Sequence, residues 1–578
     1  MAGRGWIQRG LLLGGWALSV LWIGQTYAQP AGYDKRALVE SFTSFDRSVN
    51  GGKAHSESAS SASLAWGESY YLNAYIKMYR VTGNALWLDK IVEHLDRMVP
   101  NMSDHDGDGI PAWHTDRYSI SRARSAALHN RGTAQITPEE ARVTNIEKAH
   151  EAIDAVYEVE MIGYDQLRVR DLTRWQLAYD GPYTVGEAIP GIVGFSVMPN
   201  RMPEHGDKFR VQTWGVRPLA YAVHEGMILY PVAQFIEMAL HREELRSRYE
   251  DKARSYLRLI EERVLDKQER YWLEVEPGVG AYRSTGSAWE RYPNRILPHN
   301  QYLALGRAYL VLKDASDNPL FLERATQMAR YFKRHLQQTG TAYTWSYWNW
   351  VEAGKPDQSN VEDTSHGHID IEFAVEAYRR GVVFTEEDME RFARTLTDQM
   401  WNGSLSDPTV GSRVDRRTGE GKTIRGWIEL CRWDSRIWDL YWTLYNKLNR
   451  PGLETPHILY ARAVLDGLET PGTTLPPGAP RYESNLGGNH PNPFNGETEV
   501  RFTVGGHGPF DRQSVLLKVY NVLGQQVRVL LVEALPSGTH RIVWDGRDER
   551  GRELGSGIYL CAMSTEAFRR VEKMMLIR

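Results

Sequence analysis

The chain has 578 residues and a formal net charge of -4, with 25% charged and 42% apolar residues. It is too long for one compact core, so two or three domains are expected. No run of Lys or Arg marks a nucleic-acid or membrane-surface patch. The 19 Trp and 30 Tyr suit a surface that stacks on sugar rings, or a core packed with aromatics. The two cysteines, Cys431 and Cys561, fall in different expected domains and lack zinc spacing or a nucleophile setting, which excludes a disulfide framework.

Residues 1–28 read as a signal peptide. Arg4 and Arg9 precede an apolar run from Leu11 to Ile23, and a polar segment ends in Thr26-Tyr27-Ala28. The run is short for a spanning helix and Gln25 interrupts it, which favours cleavage over a membrane anchor. No later segment is expected to cross a membrane.

A helical body is expected from 29 to 466. Leu64, Tyr71, Leu72, Tyr75 and Met78 recur at helical spacing, Thr82-Gly83-Asn84 breaks the pattern, and Leu86–Met98 starts a second amphipathic helix. Together they form an αα-hairpin. From about 156 to 211 the pattern alternates with period two, as in Tyr157-Glu158-Val159-Glu160 and Phe209-Arg210-Val211, which predicts a small inserted β module. Helical periods return at 221–238, 243–264, 301–312, 320–336, 369–380, 386–400 and 437–446. Long helices joined by aromatic-rich loops predict an α/α toroid, with an open helical array as the alternative. The segment 467–480 is a linker rich in Pro, Gly and Thr. Beyond it, short alternating strands predict an all-β immunoglobulin-like sandwich over 481–578.

The tail carries Asn489-His490-Pro491-Asn492-Pro493-Phe494-Asn495, then Val519-Tyr520-Asn521-Val522-Leu523-Gly524, Trp544-Asp545-Gly546-Arg547-Asp548 and Gly555-Ser556-Gly557-Ile558-Tyr559. It ends in a basic-apolar strand, Lys573 to Arg578. This order resembles the C-terminal sorting domain of type IX secretion cargo. The resemblance implies passage through the outer membrane, with the secretion machinery as partner, and release or surface attachment; it implies no catalysis.

Four clusters in the body offer chemistry. Asp104-His105-Asp106-Gly107-Asp108-Gly109 places oxygens at the first, third and fifth positions of a tight loop, as an EF-hand-type calcium loop begins. Its twelfth position is Thr115 and Pro111 follows the loop, so a solvated acidic turn is the alternative to a structural calcium site at Asp104, Asp106 and Asp108. No organic cofactor is expected. The second cluster is Arg295, His299, Asn300 and Tyr302, with His224 upstream on an apolar helix. The third runs from Asn360 through Glu362, Asp363, His366 and His368, beside the aromatic stretch that holds Trp348. Ser365 or Asp363 can cap the helix that follows. The fourth is Trp66 and Glu68 at the start of the first long helix.

The Arg295/Tyr302 spacing with His224 is similar to α/α-toroid polysaccharide lyases acting on alginate and other uronic-acid polymers, although the Asn-Asn-His run of those enzymes is absent and His224 follows Ala222-Val223. The resemblance implies a secreted lyase cleaving by β-elimination. Tyr302 and His224 would move protons, Arg295 and Asn300 would meet the uronate carboxylate, and His366 would face them. His299, Trp66, Glu68, Trp348, Glu362 and Asp363 would bind substrate. Two further readings remain: a glycoside hydrolase with paired carboxylates drawn from Glu68, Glu225, Glu362 and Asp363, and a non-catalytic surface glycan-binding protein.

Overall fold

A computed structural model describes residues 32–129, 153–192 except 164 and 188, 197, 205–349, 351–354, 360–421, 425–448, 452–466, 484–505, 512–536, 538–565 and 568–578. The expected signal peptide and the linker at 467–480 lie outside the described residues. The chain forms a helical body, an inserted sheet and a C-terminal β sandwich, each with its own hydrophobic cluster.

In the body, α1 spans Lys35–Ser48, α2 Ser69–Thr82 and α3 Leu86–Met98. After the insert come α4 Ala222–His241, α5 Glu243–Leu259, α6 His299–Leu312 and α7 Leu320–Arg334. They are followed by α8 Thr364–Arg379, α9 Glu386–Arg394, a tight-turned helix Gly426–Arg432, α10 Arg436–Leu448 and α11 Thr455–Leu465. The packing alternates along the chain. Helices α2, α4, α6, α8, Gly426–Arg432 and α11 each touch the next, and α11 returns to α2. The others lie outside this ring: α3 on α2, α5 on α4, α7 on α6, α9 on α8, α10 on Gly426–Arg432, and α1 on α11. Composition explains the layering. α4 is apolar on nearly every face and buried from Ala222 to Leu240, as a helix without a polar side must be. α5 and α9 expose one strongly charged face and bury the other.

Helices α4 and α6 cross very closely. A Cβ added to Gly226 would lie 2.3 Å from the Ala304 carbonyl carbon and the Leu305 nitrogen, so only glycine fits there. Helix ends follow local chemistry. Gly83, at φ 69, closes α2 with its N–H on Tyr79 O. The Asp363 side chain caps α8 by accepting from the Ser365 and His366 amides.

The insert starts earlier than the alternation at 156 predicts. Strand β1 spans Arg122–His129 and pairs antiparallel with β5, Lys208–Trp214. Its sequence, Arg-Ala-Arg-Ser-Ala-Ala-Leu-His, has no apolar alternation to announce it; pairing with β5 makes it a strand. With β2 Ala155–Met161, β3 Gln166–Asp171 and β4 Gln176–Pro182, the sheet order is β1-β5-β2-β3-β4. Tyr157, Val159, Val169, Phe209 and Val211 fill its core. Two small hairpins follow in the body, β6 Trp272–Glu276 with β7 Val279–Tyr282, and β8 Gln337–Thr339 with β9 Ala342–Thr344.

The tail holds β10 Asn485–His490, β11 Thr498–Val504, β12 Arg512–Asn521, β13 Gln526–Pro536, β14 Gly538–Trp544, β15 Gly557–Ser564 and β16 Arg569–Leu576. They form one sheet of order β10-β11-β14 and another of order β13-β12-β15-β16. Alternate residues such as Val500, Phe502, Val515, Leu517 and Val519 point into the shared core around Trp544. Cys431 and Cys561 are both buried free thiols.

Candidate functional site

A cavity of about 660 Å³ opens at one end of the ring. Its floor comes from the first turns of the inner helices: Trp66 and Tyr70 before and in α2, Ala222 to His224 in α4, Asn300 and Gln301 in α6, and Ser365 and His366 in α8. The N-terminal ends of α4 and α6 carry partial positive charge, which favours an anion, while at α8 the Ser365 and His366 amides are already taken by Asp363. The rim adds the loops Arg117–Ile120 and Arg283–Thr285, and Glu290 to Tyr292.

Three arginines, Arg117, Arg283 and Arg291, line the cavity, and Glu290 is the only carboxylate among its described lining residues. Two polar atoms are left without a hydrogen-bond partner: Asn300 Oδ1, on a side chain only 1% exposed, and Arg283 Nε. Buried polar groups are normally paired, so these two are poised for a bound molecule. Aromatic rings supply the remaining wall, including Trp66, Tyr118, Tyr221, Tyr292, Tyr347 and Trp348.

Two histidines sit in different surroundings. His224, 1% exposed, packs 5.9 Å from Trp66, 5.5 Å from Tyr118 and 5.3 Å from Tyr221, ring to ring. Its Nδ1 lies 2.8 Å from Ser61 Oγ. Burial, aided by the charge of Arg117, pushes its pKa down to about 3, so the ring is neutral across the physiological range. His366 lies 5.2 Å from the Tyr347 ring, and its Nδ1 is 2.6 Å from Asp363 Oδ2. Burial opposes its charge, but the hydrogen bond and the charge of Asp363 outweigh this and raise its pKa above the ordinary value. Burial likewise opposes ionisation of Asp363, and His366 overcomes it, holding the carboxyl well below its usual range. In Glu290 burial raises the carboxyl pKa against the pull of the Tyr292 and Arg291 amides.

Of the residues singled out in the sequence, His224, His366, Asn300, Trp66 and Trp348 line this cavity. The others do not. Tyr302 is fully buried, its hydroxyl 2.6 Å from His299 Nδ1, and burial raises its pKa well above that of a free phenol. It packs toward Tyr331, because two positions along α6 from Asn300 turns a side chain to the far side. His299 faces the same interior, beside Phe332 and His335. Arg295 is exposed and runs against Gly354 instead. Glu68 is fully buried and held by His94 Nδ1 at 2.5 Å and the His55 amide at 2.7 Å, a packing role. Glu362 is also fully buried, behind His366. Burial keeps its pKa far above normal, and neighbouring Asp370, pushed up to about 7 by burial, shares the same recess. Asp363 meets the cavity through His366 and through Ser365, whose Oγ donates to Asp363 Oδ1 at 2.6 Å. His368 turns inward with Nδ1 on Ser365 O.

The carboxylates of Asp104, Asp106 and Asp108 do cluster, but Lys267 Nζ lies 2.8 Å from oxygens of both Asp106 and Asp108. Arg270 adds a contact of 3.0 Å to Asp108, and Asp104 accepts from the Asp108 and Gly109 amides. The chain supplies its own cation.

Sequence reading missed Arg117, Arg283, Arg291 and Glu290. The last three stand in the stretch Ala281–Arg295, whose mixture of Arg, Trp and Tyr before the His299-Asn300 turn was the available signal.

Among the described residues no helix is long and apolar enough to cross a membrane. No curated protein matches the chain. Among solved structures it is similar to dimeric latent PorU from Porphyromonas gingivalis, at 20% identity over 17% of this chain and 9% of that one, TM-score 0.14. It is similar also to PorZ, described as an essential surface component of the type-IX secretion system of the same organism, at 17% identity over 16% and 11%, TM-score 0.12. A DNA glycosylase, AlkC from Pseudomonas fluorescens, pairs with 61% of this chain and 77% of its own at 11% identity and a TM-score of 0.14. Alignments this loose say nothing about the fold of the body or its chemistry, and the chain spans about a tenth of the Porphyromonas proteins. What stands is local: residues 489–567 match the family model described as FlgD Ig-like domain.

Proposed function

We propose that this chain is an exported enzyme that cleaves a uronic-acid-containing polysaccharide by β-elimination, on a body arranged as an α/α toroid. The observation that carries this reading is the pair of histidines driven in opposite directions within one arginine-lined cavity. Opposed environments of this kind separate a base from an acid.

The steps follow from the residues. Arg283 neutralises the substrate carboxylate, which acidifies the C5 proton, and Asn300 Oδ1 accepts from a sugar hydroxyl. Neutral His224 removes that proton through Nε2. The electron pair forms the C4–C5 double bond and expels the C4 oxygen, to which protonated His366 delivers its Nε2 proton. Burial is the larger cause of the low His224 pKa and the charge of Arg117 the smaller; an incoming carboxylate offsets the second and so raises the basicity of His224. A hydrolase reading calls for two carboxylates flanking the bond, and among the described residues Glu290 is the one carboxylate that lines the cavity.

The test is turnover of alginate and other uronate polymers, followed by ultraviolet absorbance of the unsaturated product. His366→Ala should lower turnover by about a hundred- to ten-thousand-fold. As the acid, His366 must be protonated, so the rate should hold at low pH and fall as pH rises through its raised pKa. Asp363→Asn removes the charge that raises it and should move that fall to lower pH; an unmoved limb rejects the role. New reducing ends without the absorbance would replace elimination by hydrolysis.

For the tail, the motif order and the immunoglobulin-like family match support a type IX sorting role. Deleting residues 481–578 should then retain the protein inside the cell envelope, and arrival at the surface without them would reject the role.

A further inference from the structure

We propose that the outer face of the inserted sheet is a second binding surface, one that holds a polyanionic glycan strand as it leaves the cavity. This rests on reading the cavity as a site for acidic sugars.

Strand alternation divides the insert cleanly. Val159, Phe209 and Val211 point into its core, while Arg122, Arg124, Lys208, Arg210, Glu158 and Arg170 point outward. Register sets the outward rows: Arg122 opposite Trp214, Arg124 opposite Gln212, and Ala126 beside Arg210, which in turn neighbours Glu158. The face has carboxylates, but each already has a cation. Glu158 is held by Arg170 at 3.6 Å, Glu160 by Lys208 at 3.3 Å, and Asp180 by Arg168 at 2.7 Å. Arg122, Arg124 and Arg210 have no ion pair among the described residues, and Arg124 and Arg210 are exposed.

These three arginines continue from the cavity. Ile120 lines the cavity and Arg122 opens β1 two residues later, a distance of about 7 Å in extended chain. On the paired strand, Gly215 O accepts from Trp289 Nε1 at 2.9 Å, one residue before Glu290 of the cavity rim. Cations therefore run from Arg117 inside to Arg122, Arg124 and Arg210 outside. Arg124 lies two steps along β1 from Arg122, about 7 Å away, and on the diagonal to Arg210, about 7–8 Å away. Only a chain with regularly repeated charge can meet all of them at once; a single sugar acid fills the cavity alone.

The experiment compares binding of a long fluorescent alginate fraction and an alginate tetrasaccharide to the full-length protein, with the triple variant Arg122→Ala, Arg124→Ala, Arg210→Ala beside it. The long chain should lose about tenfold or more in affinity, with a shallower dependence on salt as fewer counterions are released, while the tetrasaccharide is unaffected. Replacing the same residues by Lys should restore most of the long-chain binding. Equal losses for both probes, or none for the long chain, overturn the proposal. Failure of the unaltered protein to bind long alginate overturns it as well. Duplex DNA of similar length binding as tightly as alginate overturns the assignment to a glycan. If the variant weakens long-chain binding and the protein still yields no unsaturated product, the surface stands and the elimination chemistry falls.

Discussion

The helical body and the C-terminal sandwich solve burial in opposite ways. The sandwich core is built from apolar side chains, and among its described residues no charged side chain is buried. The body threads ionised groups through its centre. Arg307 pairs with Glu372, and its guanidinium lies 4.6 Å from the Tyr230 ring. Lys77 lies 2.7 Å from Glu429, which also meets Arg379 at 3.2 Å. Burial works against Glu429, yet Lys77 and Arg379 hold its pKa down to about 2. Replacing buried ion pairs by hydrophobes is often neutral or stabilising. Their presence beneath a cavity that needs oriented polar groups says that the body fixes geometry with charge, while the sandwich, with no such site in it, needs only shape.

The largest expected effect breaks that arrangement. Arg307→Met leaves Glu372 buried and uncompensated, and should cost about 3–5 kcal/mol in urea unfolding. Adding Glu372→Leu should recover most of the loss. A single variant as stable as the parent would show that the ion pair does not organise the body. Next comes the sandwich. Leu517 is fully buried in its core, so Leu517→Ala should cost about 2–5 kcal/mol. The loss should appear in the sandwich's own melting transition and leave the body's transition where it was; a shift of both would mean that the two are one cooperative unit. The smallest effect concerns the acidic loop. Because Lys267 already neutralises Asp106 and Asp108, melting in calcium and in chelator should coincide, and a rise of several degrees with calcium would overturn this.

Elements whose periodicity reflects burial were readable in the sequence. The period of Tyr71 to Met78 gave α2, and alternation gave β11 and β12. Strand β1 was not readable, because its small and basic residues become a strand only by pairing with β5. Helix α11 was missed too: it begins Thr-Pro and then runs apolar on all sides, with no polar stripe to set a period. The candidate site was legible in its histidines and in Asn300, since polar groups entering apolar helices stand out. The direction in which each side chain points was not. Asn300 and Tyr302 share one helix turn and face different interiors, and no spacing rule decides which of them meets solvent. The arginines came from loops whose contribution depends on where the chain returns.

The close crossing of α4 and α6 at Gly226 bears on this site directly. Those two helices carry His224 and Asn300, and the absent side chain at Gly226 acts as a gauge block for the distance between them. A methyl group there would prise the two first turns apart and widen the mouth between His224 and Asn300. The bore of this cavity is thus set two residues away from its chemistry, by an atom that is missing.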